Sequence, residues 1–244
     1  MNVAPDSTPP PFSAFPDHSE FEIYATMTPA KEVDGDFYDF FLVDDDHLAV
    51  AIADVSGKGV PTALFMVIAK TLIKNHAQTG TAPEAVFTEV KRLLCKFNDE
   101  GLFDTAWMGV LELSTGPLTY VNAGHNPPLL RRNGGAYEYL RTRPGFVLAG
   151  MDGIRYRLNR LDLSPGDALY LYTDGVTQAT DANLQLYGET RLSSVLKLHS
   201  NSEPEALLSA VKADVAPFVG DAPQFDDITM LGLRYQGAKE TGAC

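Results

Sequence analysis

Cysteine is nearly absent from this chain: Cys95 lies within a helical pattern and Cys244 is the last residue. Neither has metal-ligand spacing, which argues against a disulfide framework or a thiolate cage and fits reduced thiols in a cytoplasmic protein. No apolar run approaches the length of a membrane span. No basic stretch followed by an apolar core marks a signal peptide. Positive charge is also scarce: 19 Lys and Arg stand against 32 Asp and Glu, a formal net charge of -13. Such a surface repels nucleic acid and anionic membranes, so neither is expected as a partner. The Gly-x-x-x-x-Gly-Lys-Ser/Thr phosphate loop is missing. What remains is an acidic chain of 244 residues, 45% hydrophobic. That is enough for one sizeable core, and it is rich in the carboxylates that hard cations favour.

Residues 1–20, with Pro9-Pro10-Pro11 and many Ser, Asp and Thr, read as a disordered tail or linker remnant. One domain is expected over 21–236, with 237–244 a disordered C-terminal tail. Phe21 to Thr28 reads as a strand. Phe37 to Val43 and His47 to Val55 read as a hairpin around Asp44-Asp45-Asp46. Pro61 is placed to open a helix. Ala63, Leu64, Val67, Ile68, Thr71 and Leu72 share one face of it. Phe65, Met66 and Ile73 make other faces apolar too, so the helix is expected to be well buried. A second helix from Pro83 carries Val86, Phe87, Val90, Leu93, Leu94 and Phe97 inward and Glu84, Glu89, Lys91 and Lys96 outward. Strands follow over 105–113, 118–122, 128–132, 136–140, 156–163 and 168–173. Helices follow over 191–198 and 203–218, and a last strand over 228–235. Trp107 and the strand-spaced Tyr and Phe residues read as core. Consecutive hairpins with helices grouped in pairs indicate an α+β fold of mainly antiparallel sheet.

The aspartates are the informative residues. Asp36 begins a strand and Asp54 ends its partner. Asp174 ends the apolar run Leu169-Tyr-Leu-Tyr-Thr-Asp174, and Asp226 and Asp227 precede the last strand. Any one of these alone reads as an ordinary Asp-Gly or polar turn. Four such sites at four strand ends are harder to explain as turns. Carboxylates gathered at one sheet edge repel one another and raise each other's pKa unless cations neutralise them, an arrangement suited to Mg²⁺ or Mn²⁺.

Five segments occur in order: Val33-Asp-Gly-Asp-Phe-Tyr-Asp39, Asp54-Val-Ser-Gly-Lys-Gly-Val-Pro61, Asn122-Ala-Gly-His-Asn-Pro-Pro128, Tyr172-Thr-Asp-Gly-Val176 and Asp226-Asp-Ile-Thr229. From about Phe21 to Tyr235 the chain resembles the SpoIIE/RsbU-type phosphatases, a bacterial branch of the PP2C-like (PPM) superfamily. One departure is Asp34, where the family usually has glycine. The resemblance implies a four-layer α-β-β-α sandwich and a metal-dependent protein serine/threonine phosphatase with two Mn²⁺ or Mg²⁺ ions. It implies Asp54 as the bridge between the metals, Asp36 and the Val55 carbonyl at one ion, and Asp174 and Asp226 at the other. Asp227 is the competing choice for the last position. The resemblance further implies hydrolysis by metal-activated water without a phosphoenzyme. It implies a phosphorylated STAS-type anti-sigma-factor antagonist as substrate, and an upstream sensor or receiver domain in many relatives. It also leaves room for a homodimer. A catalytically weak or inactive PP2C-like sensing module is the alternative. A nucleotide cyclase is disfavoured because Asp34-Gly-Asp-Phe is not continued as a cyclase turn.

Three weaker candidates stand beside the cluster. Lys31 and Lys58, next to the metal motifs, read either as phosphate-attracting residues or as solvated lysines. His125 reads as a holder of its turn or as a proton donor to the leaving oxygen. Gly57 and Gly59 are expected to let the backbone turn tightly into the following helix.

Overall fold

Alternating apolar and polar residues, punctuated by Gly, Asn and Asp turns, give ten strands among the described residues, and the pairs between them are antiparallel. The computed structural model describes residues 18–30, 35–98, 100–143, 145–151 and 153–238. Lys31, Asp34 and Cys244 lie outside the described residues, as do most of the two expected tails.

One sheet has the order β1-β10-β9-β6-β7 and the other β2-β3-β4-β5-β8. The first contains β1 (Phe21–Thr28), β10 (Ile228–Tyr235), β9 (Ala168–Tyr172), β6 (Leu129–Arg131) and β7 (Tyr137–Tyr139). The second contains β2 (Asp36–Asp44), β3 (His47–Val55), β4 (Asp104–Glu112), β5 (Pro117–Ala123) and β8 (Asn159–Asp162). Between the sheets lies a core of Leu48, Val50, Ile52, Trp107, Leu111, Leu171, Leu231 and Leu233. Trp107 stacks on Tyr120 there, with ring centroids 5.6 Å apart.

Helices α1 (Val60–Ala77) and α2 (Pro83–Leu94) cover the second sheet through Phe65, Ala69, Ile73, Val86, Phe87 and Val90. Helices α4 (Gly188–Leu198) and α5 (Pro204–Val219) cover the first through Leu192, Leu196, Leu207, Leu208 and Val211. The result is the expected α-β-β-α sandwich. A single turn of helix, α3 (Asp174–Thr177), follows β9 and was not expected from the sequence.

Two expectations are corrected. The inward face of α1 is Thr62, Phe65, Ala69, Ile73 and Ala77. Leu64, Val67 and Ile68, read as inward, are 62%, 54% and 46% exposed. A helix apolar on every side leaves periodicity unable to choose a face. Alanines at 69 and 77 let it lie close on the sheet, with Phe65 and Ile73 filling the remaining space. Lys91, read as outward, is buried, and its amine donates to the Ile154 carbonyl at 2.8 Å. At the start of the domain, Glu20 is already part of the fold: its carbonyl accepts from the Gln236 N–H at 2.7 Å.

Candidate metal centre

The site is built where strands end. In the β2–β3 pair, Asp36 stands directly opposite Asp54. Antiparallel partners share a face, and this one looks between the sheets, away from Phe37, Ala53 and Val55 in the helix-side core. From the opposite sheet, Thr173 closes against Asp36. Its hydroxyl donates to Asp36 Oδ2 at 2.7 Å and accepts the Thr229 N–H at 3.1 Å. Burial, then the charge of Asp54, pushes the Asp36 carboxyl well above its usual range, while the Thr173 bond opposes that rise.

Asp174, the first residue of α3, and Asp226 lie just beyond the first sheet, two residues after β9 and two before β10. Their loops touch because residue 175 is glycine. A Cβ there would sit 1.9 Å from the Asp227 carbonyl oxygen, so no other residue permits this approach. Asp174 Oδ2 accepts from Gln178 Nε2 at 2.8 Å, and its carboxyl is raised by burial and by Asp226. Asp54 is pushed up to about 7 by burial and by the charges of Asp174, Asp226 and Asp227. The four segments therefore bring their carboxylates into one electrostatic cluster, and no basic group contributes to the shifts at Asp36, Asp54 or Asp174.

The neighbouring Asp227 does a different job. It is buried, and its two oxygens accept the Ala30 N–H at 2.8 Å and the Gly35 N–H at 3.1 Å. It pins both ends of the loop that leads into β2. Asp226 is half-buried, and its Oδ1 accepts the Asp227 N–H at 3.0 Å. Gly35 approaches Val55 so closely that a Cβ would stand 2.8 Å from the Val55 carbonyl oxygen. That carbonyl, with Asp54, Asp226 and Asp227, lines a small pocket rimmed by Gly57, Lys58 and Phe225.

The donor set is all oxygen and carries uncompensated negative charge, which suits a hard divalent cation. Among the described residues, no three Asp, Glu, His or Cys side chains are grouped as a ready-made cage. Lys58 is exposed and reaches across the pocket mouth. Its amine donates to the Phe225 carbonyl at 3.1 Å and lies 4.6 Å from that ring's centroid. Gly57 and Gly59 have φ of 102° and 93°, the left-handed backbone expected at the entry to α1.

His125 is buried beside Thr105, the β4 partner of Asp54. Its Nδ1 lies 3.2 Å from the Thr105 carbonyl and 3.1 Å from the hydroxyl. The Asn122 side chain bonds both its N–H, at 2.8 Å, and its carbonyl, at 2.9 Å. Burial pushes its pKa down to about 4; the ring ties the turn to Thr105, and the Asn122 side chain closes the turn itself. Sequence reasoning missed Thr173, Gln178 and Asp104. Asp104 is fully buried; burial and then the charge of Asp54 push its carboxyl well above its usual range, against a backbone hydrogen bond at Asp54. It pairs with Val55, so it faces the helix side and not the Asp36–Asp54 face. Its only sequence signal was an aspartate at the first position of a buried strand.

The Stage II sporulation protein E (SpoIIE) model matches residues 44–236. The chain belongs to the SpoIIE family. Protein IcfG of Synechocystis is 32% identical over 247 residues, covering 90% of this chain and 39% of the relative. The phosphoserine phosphatase RsbU of Bacillus subtilis is 28% identical over 219 residues, covering 90% of this chain and 64% of RsbU. The chain thus spans less than two thirds of the length of either relative. The SiaA-PP2C domain of Pseudomonas aeruginosa superposes with a TM-score of 0.77 at 24% identity, over 88% of this chain and 86% of that one, and the shared fold is PP2C-like.

Proposed function

We propose that this SpoIIE-family domain is a metal-dependent protein serine/threonine phosphatase. The observation that carries the reading is the cluster of Asp36, Asp54, Asp174 and Asp226. Burial and mutual charge raise the carboxyls of Asp36, Asp54 and Asp174, with Asp226 among the charges that act on Asp54 and Asp174, at one end of a PP2C-like sandwich. The phosphoserine phosphatase activity named for RsbU agrees with it.

Two Mn²⁺ or Mg²⁺ ions bound there would neutralise the cluster and activate water for attack on phosphorus. Mg²⁺ keeps several waters and takes only one or two carboxylates, so a closed cage of three side chains is not required. Asp54, whose carboxyl feels the charges of Asp174, Asp226 and Asp227, would serve both ions. Asp36, fixed by Thr173, and the Val55 carbonyl, kept clear by Gly35, would hold one of them. Asp174, fixed by Gln178, and Asp226 would hold the other. Asp227, with both oxygens committed to backbone amides, shapes the pocket. Lys58 at the mouth, tethered to Phe225, would meet the phosphoryl group as it enters. The substrate class the family suggests is a phosphorylated STAS-type protein in sigma-factor signalling, with control by a sensor or receiver domain in a cytoplasmic pathway.

Phosphate release from a phosphoserine protein with Mn²⁺ tests the reading, for wild type and Asp54→Asn. Metal-dependent turnover in wild type, lost in the variant, is expected. Equal turnover in both would sink the assigned site, and the lack of any metal-dependent turnover would sink the activity.

A further inference from the structure

The most basic stretch of this acidic chain is residues 141–160, which holds five arginines and a single acidic residue, Asp152. Arg141, Arg143, Arg155, Arg157 and Arg160 are all exposed. Among the described residues, Arg141 pairs with Glu189 at 3.4 Å and Arg160 with Asp162 at 3.1 Å, while Arg143, Arg155 and Arg157 form no ion pair. With 32 acidic side chains in the chain, three unpaired neighbouring arginines are not explained by internal charge balance.

Described residues beside them are tied into the fold. The Gly145 N–H donates to the Asn122 carbonyl at 2.7 Å, and Leu148 pairs with Asp104 through two backbone bonds of 3.1 and 2.8 Å. Tyr156 is buried with its ring edge-on to Phe87, and Lys91 holds the Ile154 carbonyl. The segment also borders the site. Leu148 pairs with Asp104, and Asp104 with Val55, so two strand spacings, roughly 10 Å, separate Leu148 from Val55. Asn159 aligns through Tyr120 and Gly109 with Val50, and the chain enters β8 from the end where Asp54 lies. Exposed Phe103, Phe146 and Met151 lie in or beside the same segment.

We infer that the exposed Arg143, Arg155 and Arg157 form a docking surface for an acidic stretch of the phosphoprotein substrate, which they read while the phosphoresidue occupies the aspartate cluster. The inference rests on the phosphatase reading. The chemistry recognised is a run of carboxylates on a polypeptide, because guanidinium groups pair with carboxylates in a directional fork. The acidic remainder of the surface disfavours a long polyanion such as nucleic acid and orients a locally acidic partner on this basic rim. From Arg157, two residues before Asn159, to Asp54, four residues after Val50, the path is three strand spacings across and about two residues along, roughly 16 Å, or about four to five extended residues. The acidic run would therefore begin about four residues from the phosphoserine.

The test uses two phosphoserine peptides of equal length, one with four glutamates starting at the fourth residue from the phosphoserine and one with glutamines there. Wild type and the triple variant Arg143→Gln/Arg155→Gln/Arg157→Gln are compared with Mn²⁺ for kcat/KM on both peptides and on p-nitrophenyl phosphate. Binding of each peptide, dye-labelled, is read separately by fluorescence anisotropy. Wild type is expected to prefer the glutamate peptide roughly tenfold, since three exposed ion pairs contribute a few-fold each. That preference should shrink in high salt and vanish in the triple variant, with p-nitrophenyl phosphate hydrolysis unchanged. Equal binding of both peptides by wild type, or a preference that survives the triple substitution, overturns the docking surface. Preferential binding lost in the variant without turnover of any phosphoester by wild type upholds the surface and refutes the phosphatase reading.

Discussion

The charge crowding at Asp54 can be measured without any substrate. In the metal-free protein its carboxyl is pushed from 3.8 up to about 7, first by burial and then by Asp174, Asp226 and Asp227. A carboxyl with a raised folded-state pKa holds its proton more tightly in the fold than in the unfolded chain. The fold is therefore penalised progressively as pH rises from about 4 to about 7, and bears the full penalty above that. Roughly three pKa units at about 1.36 kcal/mol each set an upper value of about 4 kcal/mol. Part of that repulsion belongs jointly to Asp174 and Asp226, so Asp54→Asn, which mimics the protonated form, should stabilise the chelator-treated protein by about 2–4 kcal/mol at pH 8. For a domain of this size that is a rise of roughly 5–15 °C in Tm. At pH 5 the gain should fall by more than half, because wild type then carries the proton itself. Saturating Mn²⁺ should reverse the order, since an ion that binds only the folded wild type stabilises it by mass action. Scanning calorimetry at the two pH values, with chelator and with Mn²⁺, reads all three. An Asp54→Asn protein no more stable than wild type at pH 8, or equally stabilised at pH 5, would refute the argument.

Thr173→Val keeps the shape of the side chain but leaves the Asp36 carboxylate without its 2.7 Å donor. Chemical denaturation should show a loss of about 1–3 kcal/mol, and Mn²⁺ affinity by calorimetry should weaken with it. Unchanged stability would mean that Asp36 is held by other groups. Gly175→Ala places a Cβ 1.9 Å from the Asp227 carbonyl oxygen, so the β9 and β10 loops must separate. The cost should be about 3 kcal/mol or more, and full Mn²⁺ affinity in the variant would contradict the contact between these loops.

Much of this protein is written in short-range signals. The strands Phe21–Thr28 and Ile228–Tyr235 match their apolar runs to the residue. Pro61 and Pro83 mark the starts of α1 and α2, and the α+β class follows from hairpins flanked by helix pairs. The aspartates were legible because Asp-bearing turns at strand ends form an ordered set, even though each alone is an ordinary turn. Other features depend on contacts between distant segments. Asp226 and Asp227 are chemically identical neighbours. Both line the pocket, and only the amides of Ala30 and Gly35, nearly two hundred residues away, engage the two oxygens of Asp227 and so distinguish it from Asp226. The outward face of α1 was unreadable because an all-round apolar helix is oriented by the shape of the sheet beneath it, not by its own period. Lys91, a charged residue on a helix that otherwise follows its pattern, is buried where the Ile154 carbonyl accepts a hydrogen bond from its amine. Thr173 looked like the end of a strand, yet it joins the two sheets through Asp36. Local sequence determines which backbone each segment adopts and where carboxylates can stand. Which of them face one another across the sandwich, and at what energetic cost, is decided by strand register and sheet packing, which no single segment encodes.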